Sequence, residues 1–121
     1  MSPTGRRTPA QASGGAAEEA AANFLSRKGL EIVARNYRTR LGEIDLVARE
    51  GATLVFVEVR MRSGEGFGGA NASVDTHKQR RLVAAARQFL SRLGSEPPCR
   101  FDVVTVEGGS PRWLRAAFDL A

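Results

Sequence analysis

Apolar residues recur at helical spacing in two segments of the chain. Residues 15–28 are rich in alanine, with acidic residues near the start and basic residues at the end. Residues 74–93 place apolar side chains three and four positions apart. Each segment is followed by a glycine, which predicts a helix stop. The sequence therefore predicts two helices, the second capped at its start by Asp75 or Thr76.

Runs of β-branched and bulky apolar residues predict strands around these helices. Residues 30–38 alternate between apolar and polar positions, residues 42–62 contain two apolar runs joined by a turn, and two further strands are predicted at residues 100–106 and 113–118. The order is helix, three-strand meander, crossover helix and one or two strands. Because the long helix can return the chain to a parallel strand, this order predicts an α/β domain with a mixed sheet.

Two acidic residues interrupt the apolar runs of the hairpin. Asp45 and Glu58 stand where a buried strand would carry valine or threonine, and a buried carboxylate is costly unless it is paired or binds a cation. A two-residue turn starting at Gly51 puts Asp45 opposite Glu58, whereas a turn starting at Glu50 puts Glu43 there. Both registers keep Asp45 and Glu58 on one face, and only a three-residue loop would separate them.

The hairpin therefore predicts an acidic patch of Asp45 and Glu58, joined by Glu43 in the second register, with Arg60 projecting to the same side. Clustered carboxylates suit Mg²⁺ or Mn²⁺, which bind one or two carboxylates and keep waters for a phosphate. The competing interpretation is a structural network in which the acids pair with Arg60 and Lys78, since such networks are commoner than active sites.

Composition and charge narrow the classes of partner. The chain has 121 residues, enough for one domain, and its 18 Lys and Arg against 13 Asp and Glu give a net charge of +5, which favours a polyanionic partner such as nucleic acid. One cysteine, Cys99, and one histidine, His77, exclude an internal disulfide and zinc sites built on cysteine or histidine.

The chain ends and its apolar runs predict location and domain limits. No run approaches the roughly 20 residues of a membrane span, and the N-terminal segment has no apolar centre of a secretory signal. We therefore expect a cytoplasmic protein without a membrane partner. Residues 1–14 are rich in Ser, Thr, Pro, Gly and Ala, which predicts a flexible tail before a domain at residues 15–121.

Four segments of the sequence carry a family resemblance. They read AEEAAANFL (17–25), ARNYRTRLGEIDLVAREGATLVFVEVRMR (34–62), FGGANASVDTHKQRRLVAAARQFL (67–90) and RFDVVTV (100–106). Together they resemble the bacterial YraN-like family, which is similar in fold to the archaeal Holliday junction resolvases of the PD-(D/E)XK nuclease superfamily. The pairing of GEIDL with FVEVR, followed by KQRR, is the most specific part.

The resemblance implies a fold and an activity. The fold is a restriction-endonuclease-like core, and the activity is that of a Mg²⁺- or Mn²⁺-dependent endonuclease acting on DNA, with branched or otherwise structured DNA such as junctions or flaps as the substrate. A homodimer is expected from the resemblance alone, because junction-cutting enzymes commonly act as symmetric dimers.

The resemblance also assigns metal ligands residue by residue. Asp45 matches the motif aspartate of the superfamily, and Glu58 matches the glutamate of its E-x-K motif. Glu18 matches the acidic residue that related resolvases place in their first helix. With Glu43, these residues are the implied metal-binding set, in which Glu18 and Glu43 act through water.

Arg60 departs from the superfamily pattern, which has a reactive lysine at this position. Arginine keeps its proton at any relevant pH, so Arg60 can stabilise charge on the scissile phosphate but cannot be a general base. The base is then a metal-bound water or Lys78, which matches the start of the family's helix, or hydrolysis has been lost and the domain only binds nucleic acid or a protein partner. The residues expected to contact DNA are Arg38, Arg40, Arg62, Gln79 and Arg81.

Overall fold

A computed structural model describes the backbone of residues 9–62 and 75–118, and the side chains of residues 15–61 and 75–118. The elements, in chain order, are α1 (Pro9–Arg27), β1 (Glu31–Arg38), β2 (Glu43–Glu50), β3 (Thr53–Arg62), α2 (Thr76–Leu93), β4 (Cys99–Glu107) and β5 (Ser110–Phe118). The five strands form one sheet in sequential order. β3 and β4 are parallel and the other neighbours antiparallel, which confirms the predicted mixed sheet with a helical crossover.

The helix ends are set largely by local sequence. The Asp75 carboxylate accepts the Lys78 backbone N–H at 2.9 Å, so Asp75, one of the two predicted candidates, caps α2. Gly94 ends α2 in a left-handed conformation, with φ of 77°. The first helix begins at Pro9, six residues before the predicted start at residue 15, and residues 1–8 of the predicted tail lie outside the described part of the chain.

Both hairpins have two-residue turns. Glu50 pairs with Thr53, so Gly51 and the residue after it form the β2–β3 turn, as in the first of the two predicted registers. Glu107 pairs with Ser110 across two glycines that both have positive φ, the conformation of a type I′ turn. Consequently β5 begins at Ser110, three residues earlier than predicted, and the turn before it is shorter.

Each face of the sheet is covered by one helix. Val55 and Val57 of β3 pack in the cluster that includes α1, whereas Leu54 and Phe56 pack in the cluster that includes α2. Such alternation is expected for a strand buried on both faces. No helix in the described part of the chain is long and apolar enough to cross a bilayer.

Asp102 is a buried carboxylate with a structural role. Its side chain is fully buried, and it accepts hydrogen bonds from Arg100 Nε at 2.9 Å, Trp113 Nε1 at 2.8 Å and the Ala116 backbone N–H at 2.9 Å. Arg100 and Asp102 therefore form a salt bridge within β4, and the bonds from Trp113 and Ala116 attach edge strand β5 to β4. A buried charge surrounded by donors in this way is satisfied without a ligand.

Candidate active site

The pairing of β2 and β3 ends just before the two acidic residues. The last paired residues are Leu46 and Val57, and the same register continued by one step would place Asp45 opposite Glu58. Instead, the Asp45 carboxylate accepts the Val59 backbone N–H through Oδ2 at 2.8 Å. The side chain of Asp45 therefore occupies the region between the two strands, where a backbone carbonyl would otherwise complete the ladder.

The alternation of side chains between the two faces of the sheet is interrupted in β2 near Asp45. Ile44 and Val47 both pack on the α2 side of the sheet, whereas Leu46 packs on the α1 side. In a regular strand residues 44 and 46 would lie on the same face, so the inward and outward alternation is shifted by one residue around Asp45. This shift lets one carboxylate between the strands interact with charged groups from both helices.

Glu58 and Lys78 form an ion pair on the α2 side of the site. Glu58 is only 7% exposed, and Lys78 Nζ in the first turn of α2 lies 2.9 Å from its Oε2. This hydrogen bond raises the pKa of Lys78, against the lowering effect of partial burial. Lys78 is therefore protonated at neutral pH in this arrangement, where it acts as a counterion and not as a base.

Asp45 has an unusually high affinity for a proton. Burial is the largest cause, and together with the negative charge of Glu58 it raises the pKa of Asp45 from 3.8 to about 7. The charge of Glu18 on α1 acts in the same direction, whereas the Val59 N–H and Lys78 lower the pKa. Ionising Asp45 is therefore costly, first because of burial and then because of the neighbouring carboxylates.

A divalent cation would lower the cost of ionising Asp45 beside Glu58, so the residues fit a metal of the Mg²⁺ type. Within the described residues no group of three or more His, Cys, Asp or Glu side chains is close enough to hold a metal ion. Asp45 and Glu58 alone are nevertheless sufficient for Mg²⁺ or Mn²⁺, which commonly bind one or two carboxylates and several waters. Glu43 is exposed and lies opposite Arg38 in the β1–β2 ladder.

The predicted cationic residues divide into two groups. Arg60 is half-buried on β3, and its charge lowers the pKa of Lys78, so the two cations are within electrostatic reach of each other beside Glu58. The predicted DNA-contacting residues lie further out: Arg38, Arg40 and Arg81 are exposed, Gln79 is half-buried, and the side chain of Arg62 lies outside the described range.

The link between β1 and β2 packs directly on α2, which the sequence did not indicate. A Cβ atom on Gly42 would lie 2.9 Å from Arg81 Cα and closer still to the Arg81 carbonyl group. Only glycine allows this approach, and the glycine at residue 42 is the one signal of it that the sequence contains. The contact joins the Arg38–Arg40 region to the helix that carries Lys78.

Comparison with known proteins identifies the family. The model of the family described as "Uncharacterised protein family UPF0102" matches residues 17–106. The chain belongs to this family. The match confirms the YraN-like resemblance predicted from the sequence, and it spans both acidic residues of the site.

Similar proteins with the same family description occur in several bacteria. A UPF0102 protein of Cupriavidus taiwanensis is 59% identical over 110 residues, covering 90% of this chain and 84% of the relative. One from Paracidovorax citrulli is 52% identical, covering 94% and 87%. One from a Janthinobacterium species is 48% identical, covering 93% and 92%. These descriptions name a family and no reaction, so the chemistry rests on the site.

Proposed function

We propose that the protein is a cytoplasmic, Mg²⁺- or Mn²⁺-dependent phosphodiester hydrolase that acts as an endonuclease on branched or otherwise structured DNA. The observation that carries the proposal is the pair of largely buried carboxylates, Asp45 and Glu58, at the open end of a hairpin. Burial, followed by the negative charge of Glu58, raises the pKa of Asp45 to about 7. Such a strained arrangement of charges is typical of functional sites and gives a divalent cation a reason to bind.

The acidic residues of the site would bind the metal ion. Asp45 and Glu58 would bind the metal directly, and Glu18 and Glu43 through water. The Val59 N–H holds the Asp45 carboxylate in one orientation at 2.8 Å. The bound metal would supply Lewis acidity and a more acidic water molecule.

Arg60 and Lys78 would stabilise negative charge on the scissile phosphate. Arg60 cannot accept a proton, and the ion pair with Glu58 keeps Lys78 protonated, so neither is assigned the role of general base. When a phosphate enters, Lys78 can turn from Glu58 toward it, because the Lys78 side chain is 53% exposed. Two cations on one side of a phosphate then oppose the charge that develops during hydrolysis.

The exposed arginines support DNA as the substrate. Arg38 lies at the end of β1, Arg40 on the β1–β2 link and Arg81 on the adjoining part of α2. Gln79 and Arg62 extend the predicted set. Arginine and polar side chains of this kind bind the phosphate backbone and fix the register of the DNA. A homodimer would bring a second site to the other strand of a junction.

The proposal is tested by cleavage assays with a four-way junction, a flap and a linear duplex, each with Mg²⁺ and with Mn²⁺. We expect the double substitution Asp45→Asn with Glu58→Gln to lower cleavage at least about 100-fold. The matched control, Glu31→Gln with Glu96→Gln, removes two exposed carboxylates and should retain activity. Cleavage that persists unchanged in the site variant would overturn the assignment.

A second candidate function is a nuclease-fold module that binds nucleic acid or a protein partner without turnover. The ion pair between Lys78 and Glu58 favours it, because that pair already compensates one of the two acids. This function predicts salt-sensitive DNA binding that is indifferent to metal and to Asp45→Asn. A calorimetric titration with Mg²⁺ and Mn²⁺ separates the two functions, since the hydrolase requires metal affinity that depends on Asp45.

A further inference from the structure

The most exposed large apolar side chain in the described part of the chain is Leu41. It is 68% exposed and lies between Arg40 and Gly42, at the tip of the link that joins β1 to β2. A single exposed leucine is common on protein surfaces. Leu41 differs from the usual case in how firmly its backbone is held and in what surrounds it.

Two sets of contacts hold the tip. The Thr39 hydroxyl oxygen accepts the backbone N–H groups of Leu41 and Gly42, each at 3.0 Å, and the Thr39 N–H donates to the Gly42 carbonyl at 2.8 Å. Gly42 in turn lies against the backbone of Arg81 in α2. The link is therefore fixed both to itself and to the helix, and a pre-organised contact loses little conformational entropy on binding.

The surroundings of Leu41 are basic. Arg38 ends β1, Arg40 directly precedes Leu41 on the link, and Arg80 and Arg81 lie on the adjoining turn of α2. All four are exposed. An apolar tip among arginines matches the combination that proteins use when an aliphatic side chain enters between bases while cations bind the flanking phosphates. Charge complementarity thus favours nucleic acid as the occupant of this surface.

Leu41 is also close to the candidate active site along the chain. Three residues lie between it and Asp45, so their Cα atoms are four chain steps, at most about 14 Å, apart. That distance corresponds to roughly four base steps at 3.4 Å per step. One DNA molecule can therefore contact Leu41 and present a phosphate near Asp45 and Glu58.

We propose that Leu41 is a wedge that packs against unstacked bases at the branch point of structured DNA. This inference rests on the proposed function and adds the residue that selects the DNA structure. Separating two bases in a continuous duplex costs a few kcal/mol per step, and that cost is lower where stacking is already interrupted. A rigid leucine at the tip therefore favours a branch over a linear duplex.

The test compares DNA binding by the wild type, Leu41→Ala and Leu41→Lys, with Leu114→Ala as the matched control because Leu114 is 44% exposed on β5. The probes are a flap with 2-aminopurine at the branch and a linear duplex of the same sequence, in EDTA at fixed salt. We expect Leu41→Ala to weaken flap binding about tenfold and duplex binding less than about twofold. The Leu114→Ala protein should match the wild type.

The lysine variant separates a wedge from simple charge attraction. Leu41→Lys adds a cation, so it should strengthen binding to both DNAs if only electrostatics act, whereas a wedge requires weaker flap binding and a lost 2-aminopurine response. Equal flap binding by the wild type and Leu41→Ala would overturn the wedge and leave the proposed function standing. Absence of any DNA binding by the wild type, both in EDTA and with Ca²⁺ in place of EDTA, would overturn both.

Leu41 could be covered by a second copy of the chain instead of by DNA, and the oligomeric state tests this alternative. If Leu41→Ala converts a dimer to a monomer in sedimentation velocity while the 2-aminopurine response is unchanged, Leu41 packs against another copy and the wedge is overturned. If the oligomeric state is unchanged and the flap preference falls, the wedge is supported.

Discussion

Replacing Asp45 by asparagine should stabilise the metal-free protein at alkaline pH, although Asp45 is a proposed catalytic residue. Burial and the neighbouring carboxylates raise the pKa of Asp45 in the folded protein to about 7, whereas the unfolded chain should titrate near 3.8. The folded protein therefore binds more protons than the unfolded chain between these two pH values. Wild-type stability must fall as the pH rises through this window and level off above it.

The magnitude follows from the same two values. The difference between 3.8 and about 7, at 1.36 kcal/mol per pH unit, corresponds to about 4 kcal/mol in the free energy of unfolding. Residual solvent exposure of Asp45 and a compact unfolded state reduce this free-energy difference. We therefore expect Asp45→Asn to raise the free energy of unfolding at pH 8 by about 2 kcal/mol or more. The asparagine side-chain oxygen can still accept the Val59 N–H, so the hydrogen bond is retained.

Urea unfolding at pH 4 and pH 8 measures this effect. The advantage of Asp45→Asn over the wild type should be small at pH 4 and large at pH 8. Mg²⁺ at 100 times its dissociation constant should raise the free energy of unfolding of the wild type by about 2.7 kcal/mol and leave that of Asp45→Asn unchanged. Glu31→Gln, which removes an exposed carboxylate from β1, should retain the wild-type pH trend. A stability difference between Asp45→Asn and the wild type that is the same at both pH values would refute the reasoning.

Two further predictions concern the contacts that α2 makes with this end of the sheet. In urea unfolding, Gly42→Ala should lower the free energy of unfolding by at least about 2 kcal/mol, because the added Cβ collides with the Arg81 backbone. Gly51→Ala should lower it by about 1 kcal/mol, because the added Cβ meets open space and only the φ of 61° is unfavourable. Lys78→Ala should tighten Mg²⁺ binding severalfold in calorimetry, because Glu58 loses the cation that lies 2.9 Å away, and it should lower DNA cleavage. Weaker Mg²⁺ binding by this variant would contradict the inference that Lys78 and Mg²⁺ compete for Glu58.

The fold was predictable wherever a local rule decided it. The two-residue turn at Gly51 limited the register of β2 on β3 to two alternatives, and the structure has the first of them. The sequence also placed the start of α2 at Asp75 or Thr76 and its end at Gly94, and Asp75 is the cap. The predictions were less accurate at both ends of the described chain. Residues 9–14 include a proline and a glycine, which have low helical propensity, so local rules placed the start of α1 too late. The early part of β5 resembles a turn in sequence, and pairing with β4 decided where that strand begins.

The sequence alone determined that Asp45 and Glu58 lie at the same end of one hairpin, because strand periodicity and a two-residue turn act over a few residues. It also determined an excess of basic residues. Only the tertiary structure decided that Lys78 from α2 pairs with Glu58, that Glu18 from α1 adds its charge to Asp45, and that Asp45 binds the Val59 N–H where the ladder opens. These contacts depend on how two helices pack on opposite faces of the sheet, which no local rule specifies.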